Sequence, residues 1–127
     1  KNLIISSHDI SDGGLAIALA EACILSEKGA SVSLIGDERK DRLLFGEGGS
    51  RIIFSISHIK KNEWIKFVSE ESKNFTDSIY VTKIGTVSKD NLKINISDNI
   101  ICDLKISTLA DKFNNGLSNN FNDEWNI

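Results

Sequence analysis

The chain has 127 residues, 40% of them hydrophobic and 26% charged, with a formal net charge of −3. That length supports one core and no second domain, and the slight acidic balance gives no basic field for nucleic acid or anionic lipid. The longest apolar run, Leu15 to Leu25, is broken by Glu21 and too short to span a bilayer; with no secretory signal pattern at its start, the chain is expected to be cytoplasmic, without membrane or nucleic-acid partners.

In chain order, Leu3-Ile4-Ile5 reads as a buried strand and Leu15 to Leu25 as a helix of good formers. Between them lies the polar, glycine-rich stretch Ser7-His8-Asp9-Ile10-Ser11-Asp12-Gly13-Gly14. A strand-to-helix turn of this kind aims the first N–H groups of the helix, and the positive end of its dipole, at whatever sits before Gly13 and Gly14. Glycine lets a phosphate approach that backbone. Ser11 or Asp12 is the expected N-cap, and the dipole makes Asp12 a better cap than proton acceptor. His8 reads either as a structural histidine bonded to backbone or as a ligand contact. Asp9 reads as its orienting partner or a cap of the turn, or else as a magnesium ligand beside a phosphate.

Gly29 is the expected C′ residue of this helix, and Cys23 within it is expected to act as a small apolar side chain. The two cysteines have no close partner and form neither a disulfide framework nor a zinc pattern. Ser31 to Ile35 alternates as a strand, and Gly36 to Arg42 reads as a charged, solvated connector. Glu47 and Arg51 flank Gly48-Gly49-Ser50, a spacing that can hold an anion on backbone N–H groups with a forked guanidinium donor. The plainer reading is a Glu47–Arg51 ion pair, worth about 0–1 kcal/mol if exposed.

Arg51 to Ser57 reads as a strand with Ile52, Phe54 and Ile56 on one face, and Lys60 to Lys73 as an amphipathic helix burying Trp64, Phe67 and Val68. Ile79 to Thr82 and Ile84 to Val87 read as strand. A hairpin at Lys89-Asp90-Asn91, with Asn91 taking the left-handed conformation, leads into Leu92 to Ile96. A last helix over Ser107 to Leu117 places Leu109, Phe113 and Leu117 in a stripe, and Ser118 to Ile127 reads as a frayed tail. Imperfect alternation of helices and strands predicts an α+β fold, a mixed β-sheet packed with helices.

Two blocks carry a family resemblance. His8-Asp9-Ile10-Ser11-Asp12-Gly13-Gly14-Leu15 resembles the His-Asp-x-Ser-Asp-Gly-Gly-Leu motif in the second half of the phosphoribosylformylglycinamidine synthase family. Leu44-Phe45-Gly46-Glu47-Gly48-Gly49-Ser50-Arg51 is similar to the Leu-Phe-Gly-Glu-x-x-Ser-Arg block of the same domain in its small, stand-alone form, and Ile84 to Val87 with Leu92 to Ile96 resembles a late hairpin. Gly48-Gly49 departs from the bulkier, more polar pair usual there, which makes the loop more flexible.

The resemblance implies a domain like the C-terminal domain of aminoimidazole ribonucleotide synthetase, spanning residues 1–127. With no methionine and a start at Lys1-Asn2, the chain reads as a C-terminal piece of a longer synthase. The complete enzyme would be an ATP-dependent ligase of purine biosynthesis that amidates formylglycinamide ribonucleotide. It would use ATP/ADP and magnesium, with a glutaminase subunit and a small bridging subunit as partners. Carried over motif by motif, Asp9 would hold magnesium, Ser11, Asp12, Gly13 and Gly14 would contact phosphate or nucleotide, and Glu47, Gly48, Gly49, Ser50 and Arg51 would form a second binding block. No catalytic residue is assigned. The isolated chain is expected to be inactive, and an exposed apolar patch beside the glycine turn is expected to mark where neighbouring domains pack. Two other readings stand beside this one: a stand-alone nucleotide- or phosphate-binding module, and a structural interaction domain whose glycine turn is only a tight connector.

Overall fold

Alternation of apolar and polar residues organises most of the chain around one sheet. The structure, a computed structural model, describes residues 2–74 and 79–124, with side chains to residue 116. Strand β1 (Ile4–Asp9) runs into helix α1 (Gly14–Ser26), followed by β2 (Gly29–Leu34), the short helix α2 (Lys40–Phe45) and β3 (Ile52–Ile56). Helix α3 (Lys61–Glu71), strands β4 (Gly85–Ser88), β5 (Asn91–Ile96) and β6 (Asn99–Lys105), and helix α4 (Ile106–Glu124) complete the order. The main sheet has the order β4-β2-β5-β6, with β2 parallel to β5 and the other pairs antiparallel. β1 and β3 form a separate antiparallel ribbon.

The core lies between one face of the main sheet and α1. Ala30, Val32 and Leu34 stand beside Leu92, Ile94 and Ile96 in register, and α1 lays Leu15, Ala18, Leu19 and Cys23 over them. Those helix positions recur at three- and four-residue steps, so they share one face. Ile10, Leu44, Ile53, Ile106 and Leu109 close the rim. Burial pushes the Cys23 thiol above its ordinary pKa, because the thiolate loses its water; Cys102, half-buried on β6, moves the same way by burial and then by Asp103.

The structure corrects several expectations. β1 takes in Ser7, His8 and Asp9, which read as turn, and Ile4 and Ile5 are exposed where a buried strand was expected. The N-cap of α1 is Gly13, without any side-chain cap from Ser11 or Asp12. Its C-terminus closes on Glu27 in the left-handed conformation, not on Gly29: the amides of Glu27 and Lys28 donate to the carbonyls of Ile24 and Cys23, at 3.3 and 3.2 Å, the paired bonds of a Schellman end. The charged connector is partly helical. Arg39 donates two bonds to Asp41 at 3.1 and 2.6 Å just as α2 begins, which holds the Asp41 carboxyl below its usual range.

Trp64, Phe67 and Val68 are half-buried, not buried, with Trp64 against Phe54 at a ring separation of 4.7 Å. Ile79 to Thr82 is irregular rather than strand. The expected hairpin between β4 and β5 is absent, because β2 lies between them. Instead, Lys89-Asp90 arches over the start of β2, and the Gly29 amide donates to the Lys89 carbonyl at 3.0 Å. A Cβ on Gly29 would overlap the Asn91 carbonyl oxygen, so this glycine serves the arch. The true hairpin joins β5 to β6 through Ser97 and Asp98, at φ 46° and 67°, a two-residue turn of the kind that matches strand twist. β6 was not foreseen. α4 continues through residues 118–124, read as tail; residues 125–127 and the Leu117 side chain lie outside the described part, and Phe113 of the expected stripe is exposed.

Candidate functional site

The glycine turn is built by contact between the two sequence blocks. Gly13 and Gly14 both have left-handed φ values, 76° and 69°, and the Gly14 amide closes the turn on the Ser11 carbonyl at 3.1 Å. The end of α2 sits directly on Gly14. A Cβ placed there would lie 2.6 Å from the Phe45 carbonyl carbon and 2.8 Å from the Leu44 oxygen. At Gly13 the same test meets only the Ile17 side chain, at 2.5 Å from Cγ1. Gly14 is thus required by backbone-to-backbone approach, Gly13 by conformation.

Beyond α2 the chain returns to the turn. Glu47 Oε1 accepts the Gly13 N–H at 2.9 Å, so the chain's own carboxylate stands at the positive end of α1. This is the position where an external anion was expected. Charge and dipole make it a favourable cap. Arg51 does not pair with Glu47. Its guanidinium donates to the Gly48 carbonyl at 3.2 Å and to the Gly46 carbonyl, lacing the loop shut from within. Ser50 holds a left-handed φ of 64°, and Gly48 and Gly49 have open space where a Cβ would be. The structure therefore brings Gly13, Gly14 and Glu47 together and places Gly48, Gly49, Ser50 and Arg51 in the adjoining loop. Ser11 and Asp12 are exposed in the turn itself.

His8 is half-buried on β1 and bonds a side chain rather than the backbone: Nε2 lies 3.0 Å from Glu21 Oε2 of α1. Sequence reading missed Glu21, whose only mark was a charge interrupting an apolar helix. Asp9, exposed at the end of β1, pairs with Ile52 across the ribbon; it does not orient His8. Among the described residues no group of three or more His, Cys, Asp or Glu side chains stands together as a metal site, and no helix is long and apolar enough to cross a membrane. Two concave surfaces lie away from the turn: a groove of about 240 Å³ lined by Glu21, Ile24, Leu25 and Phe113, and a polar depression at Glu27, Lys89 and Lys105. Ile17 and Phe45, beside the glycine turn, are 39% and 52% exposed.

No family model matches the chain. Over 122 residues, 95% of its length, it is 59% identical to the phosphoribosylformylglycinamidine synthase subunit PurL of Prochlorococcus marinus (strain MIT 9301), of which it covers 16%. It is 57% identical, over the same share of each chain, to the PurL subunit of Prochlorococcus marinus (strain AS9601). Among solved structures, PurL from T. maritima complexed with ATP aligns with a TM-score of 0.69 at 16% identity, covering 85% of this chain and 19% of that one. The same protein complexed with FGAR aligns with a TM-score of 0.69, over 85% and 18%, and the PurLQS structure from Thermotoga maritima with 0.69, over 85% and 19%. At that identity the likeness establishes the fold, and the mixed sheet packed with helices expected from the sequence holds. The resemblance carried by the two blocks extends at high identity over nearly the whole chain, which spans about one-sixth of the curated relatives.

Proposed function

We propose that this chain is one segment of a phosphoribosylformylglycinamidine synthase subunit of the PurL type, and that it walls part of the site where formylglycinamide ribonucleotide is amidated at the expense of ATP. The observation that carries this reading is the 59% identity over 95% of the chain. In the complete enzyme, a ligase, ATP phosphorylates the glycinamide carbonyl oxygen of the substrate, and ammonia from a glutaminase partner displaces phosphate from that amide carbon to give the amidine. A small bridging subunit and a cytoplasmic location belong to the same reading.

Magnesium, when bound, would neutralise phosphate charge. Asp9, exposed at the end of β1, would offer it a hard carboxylate oxygen, and one carboxylate would suffice where phosphates and water supply the other ligands. Ser11 and Asp12 are exposed in the glycine turn that follows, and the Gly13 amide, at the positive end of the α1 dipole, is the N–H that a phosphate would take. Gly48, Gly49, Ser50 and Arg51 form the flank of that turn. Glu47 must leave Gly13 for a phosphate to take that amide. In this reading these residues bind and orient.

The test is a chimera in which these 127 residues replace the matching stretch of the strain MIT 9301 subunit. ATP-dependent amidation by the chimera, with none by the isolated chain, is the expected result. An inactive but folded chimera would overturn the reading. The Glu47 carboxylate on the Gly13 N–H favours a second reading, in which the glycine turn is a structural connector. Titration of the chain with ATP and with inorganic phosphate separates the two, since a connector binds neither.

A further inference from the structure

Two polar side chains interrupt apolar surfaces, and they meet. Glu21 is the one charged residue in α1. On β1 the strand period puts His8 on the side of Ile10, whose own side chain lies in the core. Nε2 of His8 and Oε2 of Glu21 stand 3.0 Å apart, with the two side chains 31% and 34% exposed. A pair this open to water adds little stability, and apolar residues at both positions would cover the same surface. What a hydrogen bond adds over an apolar contact is direction.

That direction falls on the glycine turn. Glu21 comes seven residues after Gly14, two turns and about 10 Å along the helix. The tie between His8 and Glu21 therefore closes a loop around the segment from Asp9 to Gly13. An ionised carboxylate only accepts hydrogen bonds, so Nε2 carries the hydrogen and the ring is held in one orientation. The ladder to β3, with His8 opposite Ile53 and Asp9 opposite Ile52, sets the spacing inside the ribbon. It leaves the angle between ribbon and α1 to side chains, because among the described residues the ribbon shares no strand pairing with the main sheet.

We propose that Glu21 is a positioning residue: through His8 it fixes where β1 delivers Asp9 to the turn. The inference rests on the reading under Proposed function, in which Asp9 holds magnesium on a phosphate. Asp9 follows His8 directly and is exposed on the other face of β1, so a ring held by α1 holds the backbone of the next residue with it. Glu21 itself touches neither metal nor nucleotide in this reading and acts by placement.

Calorimetric titration of the same chimera with ADP in the presence of magnesium tests the proposal. Glu21→Leu should weaken binding about tenfold, the low end of what loss of an outer partner costs a metal site, while the melting temperature hardly moves because water takes the half-exposed Nε2. The paired variant His8→Leu, Glu21→Leu keeps the surface covered but loses the direction, and should bind as weakly. Glu21→Gln keeps an acceptor and should recover most of the affinity. Asp9→Asn should also weaken binding, and adding Glu21→Leu to it should cost nothing more, since both act on one contact. Parent-like affinity in both leucine variants overturns the proposal. So does a Glu21→Leu loss that persists undiminished on the Asp9→Asn background, because Glu21 then does not act through Asp9. Amidation by the unsubstituted chimera keeps the two readings apart. Activity with either of those results refutes the role of Glu21 alone, an inactive chimera that binds ADP refutes the synthase function while the variant series still decides on Glu21, and a chimera that binds no ADP overturns both.

Discussion

Replacing Gly14 by alanine should be among the most damaging single-methyl additions the chain can receive. Two costs combine. A non-glycine residue at φ 69° loses about 1–2 kcal/mol in the left-handed region. The new Cβ also lies 2.6 and 2.7 Å from the carbonyl carbon and Cα of Phe45, and backbone cannot rotate aside as a side chain can. The end of α2 must move away, loosening Leu44 from the core, and overpacking of this kind costs about 1–3 kcal/mol. The sum is about 2–5 kcal/mol, a large part of the 5–15 kcal/mol that typically stabilises a domain. Gly13→Ala has nearly the same φ penalty but meets only Ile17, which can change rotamer, so about 1–2 kcal/mol is expected. Gly48→Ala, with open space at its Cβ, should stay within about 0.5 kcal/mol of the parent. Urea unfolding at constant m reads all three. If Gly14→Ala costs no more than Gly13→Ala, the close approach of α2 is not what fixes the turn.

Removing the Glu47 carboxylate should cost about 1 kcal/mol in Glu47→Ala and less in Glu47→Gln, which keeps an acceptor for the Gly13 N–H; unchanged urea midpoints in both would show that the cap contributes nothing. Cys23 has its folded pKa raised by burial, so its stabilising effect is whole below the ordinary thiol range and is lost as pH rises through the folded value. Melting temperature should therefore fall faster in alkali for the parent than for Cys23→Ala, and parallel curves would contradict this. Leu44→Glu puts a carboxylate at a site 5% exposed and should unfold the chain, whereas Ile17→Lys, at 39% exposure, should leave melting nearly unchanged. Equal loss in both would remove Ile17 from the surface.

Local signals revealed what local physics decides. The apolar run of α1, the alternation in β2, β3 and β5, and the amphipathic period of α3 each satisfy a periodicity within one element, and each stands close to where the sequence put it. Non-local pairing was hidden. Nothing in Lys89-Asp90-Asn91 says that β2, some 60 residues earlier, enters between the strands it connects; the arch and the hairpin use the same polar residues. The real turn, Ser97-Asp98, lacks the glycine that usually marks two positive φ values in succession, and β6 was missed with it. Within the site, glycine spacing indicated a turn but not its reason. A phosphate and a neighbouring backbone both demand the absence of a Cβ, and only the contact of Gly14 with Phe45 separates them.

That contact bears on whether the turn can serve an anion at all. Gly14 is committed to α2 and the Gly13 amide to Glu47, so a phosphate arriving at α1 meets a carboxylate already in place. The obstacle is modest. The Glu47 bond is exposed, and an intramolecular bond of this type is worth about 1 kcal/mol net, so displacing it weakens phosphate binding about fivefold. Repulsion costs more if Glu47 stays: two unit charges about 4 Å apart repel by about 1 kcal/mol in bulk water and about 4 kcal/mol at a partly desolvated surface. Release of Glu47 is then the cheaper course, and the repulsion that favours it grows with any loss of water from the mouth of the turn. Such release leaves Arg51 laced to the carbonyls of Gly46 and Gly48, so the loop can free its carboxylate without unfolding. The two open glycines, Gly48 and Gly49, are where that motion has room.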